Sequence, residues 1–62
     1  MAIMIDPPIY ETASAETLRG FLRDLDRAES RMRSDAEALR TIAEVRAETQ
    51  EWLRRKESAA AA

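Results

Sequence analysis

The chain has 62 residues, 10 of them Lys or Arg, 12 Asp or Glu, and neither His nor Cys. That allows one small domain and leaves out disulfides, structural zinc and the side chains that most often carry nucleophilic or acid-base chemistry. Hydrophobic residues make up 45%, but twelve of them are Ala, so only sixteen larger apolar side chains can build a core.

The first segment, residues 1–13, is apolar and contains both prolines, Pro7 and Pro8. They restrict the backbone to extended or turn conformations and keep helix away from Asp6. With Ile3, Ile5, Ile9 and Tyr10 the arm is richer in apolar side chains than a disordered tail. It is expected either to hook onto a neighbouring chain or to fold back over the end of its own helices. The opening MAIMIDPPIY has no basic residue and no long apolar run, so it reads as neither a signal nor an anchor. The expectation is a soluble, unsecreted protein of the cytoplasm, or of a virion if phage-encoded.

Ser14 or Thr12 is the candidate N-cap of a helix starting near residue 14, with Glu16 placed where the helix dipole favours a negative charge. From 14 to 57 the only helix-hostile residue is Gly20. Gly20 costs about 1 kcal/mol relative to Ala in a helix interior, and its place off the main stripe allows a close approach by some other backbone. The large apolar residues fall on a seven-residue repeat. With Leu18 as a, the a positions are Leu18, Leu25, Met32, Leu39, Arg46 and Leu53, and the d positions are Phe21, Ala28, Asp35, Ile42, Thr49 and Lys56. Leu22, Val45 and Trp52 lie beside this seam.

The primary reading is therefore all-α: one long amphipathic helix with coiled-coil-like heptads, preceded by the extended arm. The interruptions at Asp35, Arg46, Thr49 and Lys56 support an alternative, a helical hairpin broken near Ser34. There Ser34, Asp35, Ala36 and Glu37 read as a capping box. No Gly, Pro or Asn lies near such a break. Residues 58–62 read as an Ala-rich, fraying continuation of the helix.

Either arrangement leaves an apolar stripe to be covered, so a partner is expected, a second copy or a larger protein. The contact residues are expected to be Leu18, Phe21, Leu22, Leu25, Met32, Leu39, Ile42, Val45, Trp52 and Leu53. Trp52 is the only tryptophan and suits an interface anchor or the end of the seam. Arg19, Arg23, Arg27 and Arg31 recur every four residues, a row that could meet phosphates or an acidic partner. Glu16, Asp24, Asp26 and Asp35 lie within reach to neutralise it, which reads as a solvated face. The net charge of -2 speaks against nucleic acid. Glu44, Glu48 and Glu51 share a face but lack the His that would complete a helical di-metal site.

No catalytic residue, cofactor, metal, small-molecule substrate or membrane contact is assigned. The expected function is that of a non-enzymatic small helical interaction protein, an oligomeric adaptor or accessory subunit of a larger assembly, phage-encoded assemblies included. A regulatory inhibitor of antitoxin-like or anti-defence type, laying an amphipathic helix on a protein target, is the alternative. A ribbon-helix-helix DNA binder ranks third, because Pro7 and Pro8 would sit in its strand.

Overall fold

The computed structural model describes residues 5–61; the side chain of residue 61 is not described, and Ile3, one of the arm residues singled out above, lies outside the described range. The chain is all-α. Two helices, α1 (Ala15–Arg31) and α2 (Ala36–Ala61), follow a non-helical segment at residues 5–14. Among the described residues there is no strand.

The N-terminus of α1 is set by Ser14, whose extended backbone precedes the helix and whose hydroxyl accepts from the Thr17 amide at 3.1 Å. Of the two cap residues that the sequence offers, Ser14 takes the role. Thr12 instead donates its hydroxyl to the Ile9 carbonyl at 3.3 Å, and the Thr12 and Ala13 amides also bond to that carbonyl. Residues 9–13 thus turn tightly and feed the chain into α1.

The continuous helix does not form. Helix α1 ends at Arg31, the Met32 amide closing its last turn on the carbonyls of Ala28 and Glu29. The Asp35 amide then bonds to the Met32 carbonyl at 3.0 Å, and α2 begins with the Leu39 amide on the Asp35 carbonyl. This reversal uses no residue with positive φ, which is why it needs neither Gly nor Asn.

The cap also differs from the expected one. Asp35, one residue beyond Ser34, accepts the Ala38 amide on Oδ1 at 3.1 Å, so the Ser34–Glu37 box is out of register with the helix start. A carboxylate at this position satisfies an orphan amide and meets the positive end of the dipole together. Asp35→Ala is expected to destabilise the fold by about 1 kcal/mol, whereas Ser34→Ala changes it by no more than a few tenths. Urea titrations of the two variants compare the caps directly, and equal losses would restore Ser34 to the role.

The helices run antiparallel, as the cross-helix pairs Arg19–Glu57 and Arg46–Asp26 require. The molecule measures 42 × 15 × 15 Å, its long axis close to the roughly 39 Å that the 26 residues of α2 span. The seam between the helices holds Leu18 and Leu25 from α1 and Ala38, Ile42 and Thr49 from α2, all buried.

The polar residues of the repeat favour the hairpin. In one continuous supercoiled helix Asp35, Arg46, Thr49 and Lys56 would stand in the apolar seam, whereas here Asp35 caps α2 and Arg46 pairs with Asp26 and Glu29 of α1. Reversing the chain at residues 32–35 turns the two stripes toward each other.

Candidate interaction surface

Two layers of contact close over the seam from opposite flanks. On the wheel of α2, Trp52 lies to one side of the line through Ile42 and Thr49, and Arg46 lies to the other.

On the Arg46 flank the guanidinium reaches across to α1, with Nη2 2.8 Å from Asp26 Oδ1 and Nη1 3.1 Å from Glu29 Oε2. The Arg46 side chain is only 23% exposed, its stem lying over the apolar seam while its head stays paired. The hydrogen bond to Glu29 raises the Arg46 pKa above its ordinary value; burial opposes it, and the fields of Glu29 and Asp26 add to it. A raised guanidinium pKa keeps this stabilisation in place below the ordinary arginine range and loses it only in strong alkali, so the clamp holds across neutral pH. A second bridge, Arg19 to Glu57 at 2.8 Å, ties the start of α1 to the end of α2.

On the Trp52 flank the arm provides the cover. Tyr10 stacks on Trp52 with ring centroids 5.8 Å apart and planes 9° from parallel. Its hydroxyl lies 2.9 Å from Thr49 Oγ1. Thr49 is fully buried, and its one hydroxyl proton goes to the Val45 carbonyl at 2.8 Å. Tyr10 is therefore the donor and Thr49 the acceptor. Lys56 Nζ donates to the Glu11 carbonyl at 3.4 Å and sits 5.9 Å from the centre of the indole, with the Arg55 guanidinium 5.6 Å from it. The arm thus folds back on its own helices. An open cleft of about 520 Å³ lies between the arm and α1, with Asp6 and Pro8 on one wall and Gly20, Phe21, Arg23 and Arg27 on the other.

Of the contact residues read from the heptads, Leu18, Leu25 and Ile42 are buried inside the hairpin, and Phe21, Leu22, Met32, Leu39, Val45, Trp52 and Leu53 are half-buried. In the arm Ile5 and Tyr10 are half-buried, while Ile9 is 70% exposed, the one large hydrophobic left open among the described residues. Two core positions escaped the contact assignment, Ala38 and Thr49. Thr49 stands at a d position of the repeat, which is its signal in the sequence, while its hydroxyl makes it read there as an interruption.

The expected neutralisation of the arginine row is met in part, Arg27 pairing with Asp24 and Arg19 with Glu57 of α2. Asp26 is spent on Arg46 and Asp35 on capping α2. The only link within the row's own helix, among the described residues, is Arg27 to Asp24 at 3.7 Å, both largely exposed. Arg23 and Arg31 are exposed and make no ion pair among the described residues.

The outer face of α2 carries Glu37, Glu44 and Glu48, exposed and likewise without ion pairs, while Glu51 engages Arg54 and Arg55. No group of three or more acidic side chains among the described residues could hold a metal ion, and no described helix is long and apolar enough to cross a membrane. Comparisons of the chain with protein-family models, with curated proteins and with solved structures find no match in any of the three.

Proposed function

We propose that this chain is a small, non-enzymatic interaction module, an adaptor or accessory subunit that reaches its full stability within a larger assembly. The observation that carries the reading is the size of the core: five buried side chains, one an alanine and one a threonine. The other seven large apolar residues of the hairpin are only partly covered.

A compact monomer of 7.0 kDa exposes about 4,000 Å², whereas this chain exposes 4769 Å². With no Cys in the sequence for a disulfide, a hairpin of this size reaches at most about 3–5 kcal/mol from its core. Further burial has to come from another chain. Nothing in the cleft or around the seam assembles a nucleophile, a base and an electrophilic group, the arrangement that catalysis by side chains requires.

The test is a dilution series of the isolated chain, followed by far-UV circular dichroism with thermal melts. The expected result is a helix signal and a midpoint that both fall on dilution, as mass action requires of a fold completed by association. A cooperative melt with the same midpoint at every concentration would mark a self-sufficient monomer and remove the reading's support.

A further inference from the structure

We infer that the outer faces of α1 and α2 are complementary docking surfaces for a second copy of this chain, the basic edge of one hairpin lying against the acidic edge of the next. The inference rests on the interaction-module reading in taking this chain to work within an assembly, and it adds a contact to that reading, since these edges carry none of the partly covered apolar side chains.

The two helices form one layer, so the face of α1 that points away from α2 and the face of α2 that points away from α1 are opposite edges of the molecule. The α1 edge presents Arg23, Arg27 and Arg31; of the acids nearby, Asp26 and Glu29 are held by Arg46, Asp35 caps α2, Asp24 is loosely paired with Arg27, and Asp6 stands across the open cleft from Arg23 and Arg27. The α2 edge presents Glu37, Glu44 and Glu48 with a single unpaired cation, Arg40, among them, all four exposed and without ion pairs among the described residues, so the edge is acidic on balance. Arg23 and Arg27 are four apart, as are Glu44 and Glu48, a rise of about 6 Å. An antiparallel approach of α1 to a neighbour's α2 sets Arg23 opposite Glu48 and Arg27 opposite Glu44 in the same register, and Arg31 opposite the exposed Arg40, a like-charge pair that opposes the other two and lowers the affinity. It also brings Glu16 near Arg55.

The small residues on these edges favour close contact. Gly20 has ordinary helical φ, and a side chain built on it would meet only the far end of Arg23, at 3.9 Å. Nothing among the described residues therefore accounts for a glycine in mid-helix. On the opposing edge Ala43 and Ala47 are exposed and small. Helix backbones can approach closely there, with the arginine stems lying over the alanines.

The basic and acidic edges are different surfaces, so the contact is head-to-tail and propagates into a ring or a row rather than closing as a two-fold pair. Exposed ion pairs contribute little each. The contact is accordingly weak and salt-labile.

The test is sedimentation equilibrium of the full chain, of R23E/R27E, of E44R/E48R and of an equimolar mixture of the two variants. It is run at about 0.01 M and about 1 M salt, where the Debye length is roughly 30 Å and 3 Å. All the substituted side chains are exposed, and circular dichroism confirms that each variant keeps its helices.

The unchanged chain is expected to associate at low salt and to lose about tenfold or more in affinity at high salt. Each variant alone should lose a similar factor, and the mixture should recover it, since reversed charges pair across unlike copies. Variants that associate as well as the unchanged chain would put the contact on another face, overturning this inference while leaving the module reading intact. A chain that stays single at both salts overturns the self-contact as well; the concentration dependence of its melt then decides the module reading separately.

Discussion

Leu25→Ala is expected to abolish the cooperative thermal transition of the isolated chain. Leu25 is 2% exposed and shares the seam with Leu18 and Ile42, both fully buried. Truncating a buried leucine removes its transfer free energy and leaves a cavity, together about 2–5 kcal/mol. The core of a fold of this size rarely supplies more than about 3–5 kcal/mol, so the loss is comparable with that whole contribution. Collapse of the surrounding side chains is limited, because Asp35 and Arg46 pin α2 at its cap and at its middle. Leu39→Ala is the control. Leu39 is only half-buried on the flank of the seam, and its loss should lower the midpoint while preserving the transition. Melts followed by far-UV circular dichroism at one concentration compare the two. A sharp transition retained by Leu25→Ala would show that stability resides outside the seam.

What the sequence disclosed and what it withheld divide along the range of the interactions. Apolar spacing marks Leu18, Leu25 and Ile42 as buried without reference to any partner helix, because amphipathicity is a local property of the chain. Ser14 is legible as a cap for the same reason. Hairpin and continuous helix are harder to separate, since a seven-residue repeat passes through Met32 and Leu39 in either case. The discriminating signal is the set of polar residues that falls on the repeat, Asp35, Arg46, Thr49 and Lys56.

The four polar residues that interrupt the repeat turn out to have separate duties. Asp35 caps α2, Arg46 clamps α1, Thr49 receives Tyr10, and Lys56 holds the Glu11 carbonyl. Three of these duties require knowing which residues meet across the hairpin, at separations of 17 to 45 residues, and no local pattern encodes that. The lack of ion pairs at Arg23 and Arg31 among the described residues has the same cause, for Asp26 is held by Arg46 and Asp35 by the cap of α2. The partner surfaces are less legible again, for a charged edge looks alike in sequence whether it meets water or another molecule.

Tyr10→Ala is expected to release the arm and uncover the indole of Trp52. Tyr10 provides the aromatic stack at 5.8 Å and, among the described residues, the one hydrogen bond between two side chains that joins the arm to α2. Losing a half-buried aromatic together with its stacking costs about 2–3 kcal/mol, enough to move the midpoint by about 10 °C or more, at about 4–8 °C per kcal/mol for a domain of this size. The Trp52 emission should shift to the red as water reaches the ring.

Tyr10→Phe separates the stack from the hydroxyl. It keeps the ring and removes one hydrogen bond, at about 0.5–1.5 kcal/mol, and Trp52 emission should stay where it is. Thr49 still donates to the Val45 carbonyl in that variant, so only its acceptor lone pair is stranded. Thr49→Val removes that acceptor with little change of shape. Adding it to Tyr10→Phe should therefore cost less than the sum of the single changes, the two hydroxyls forming one unit. Urea unfolding of the four members of this cycle, read by Trp52 emission, measures the coupling. Strict additivity would mean that Tyr10 holds the arm by its ring alone, and an unshifted emission in Tyr10→Ala would mean that some other group keeps water from Trp52.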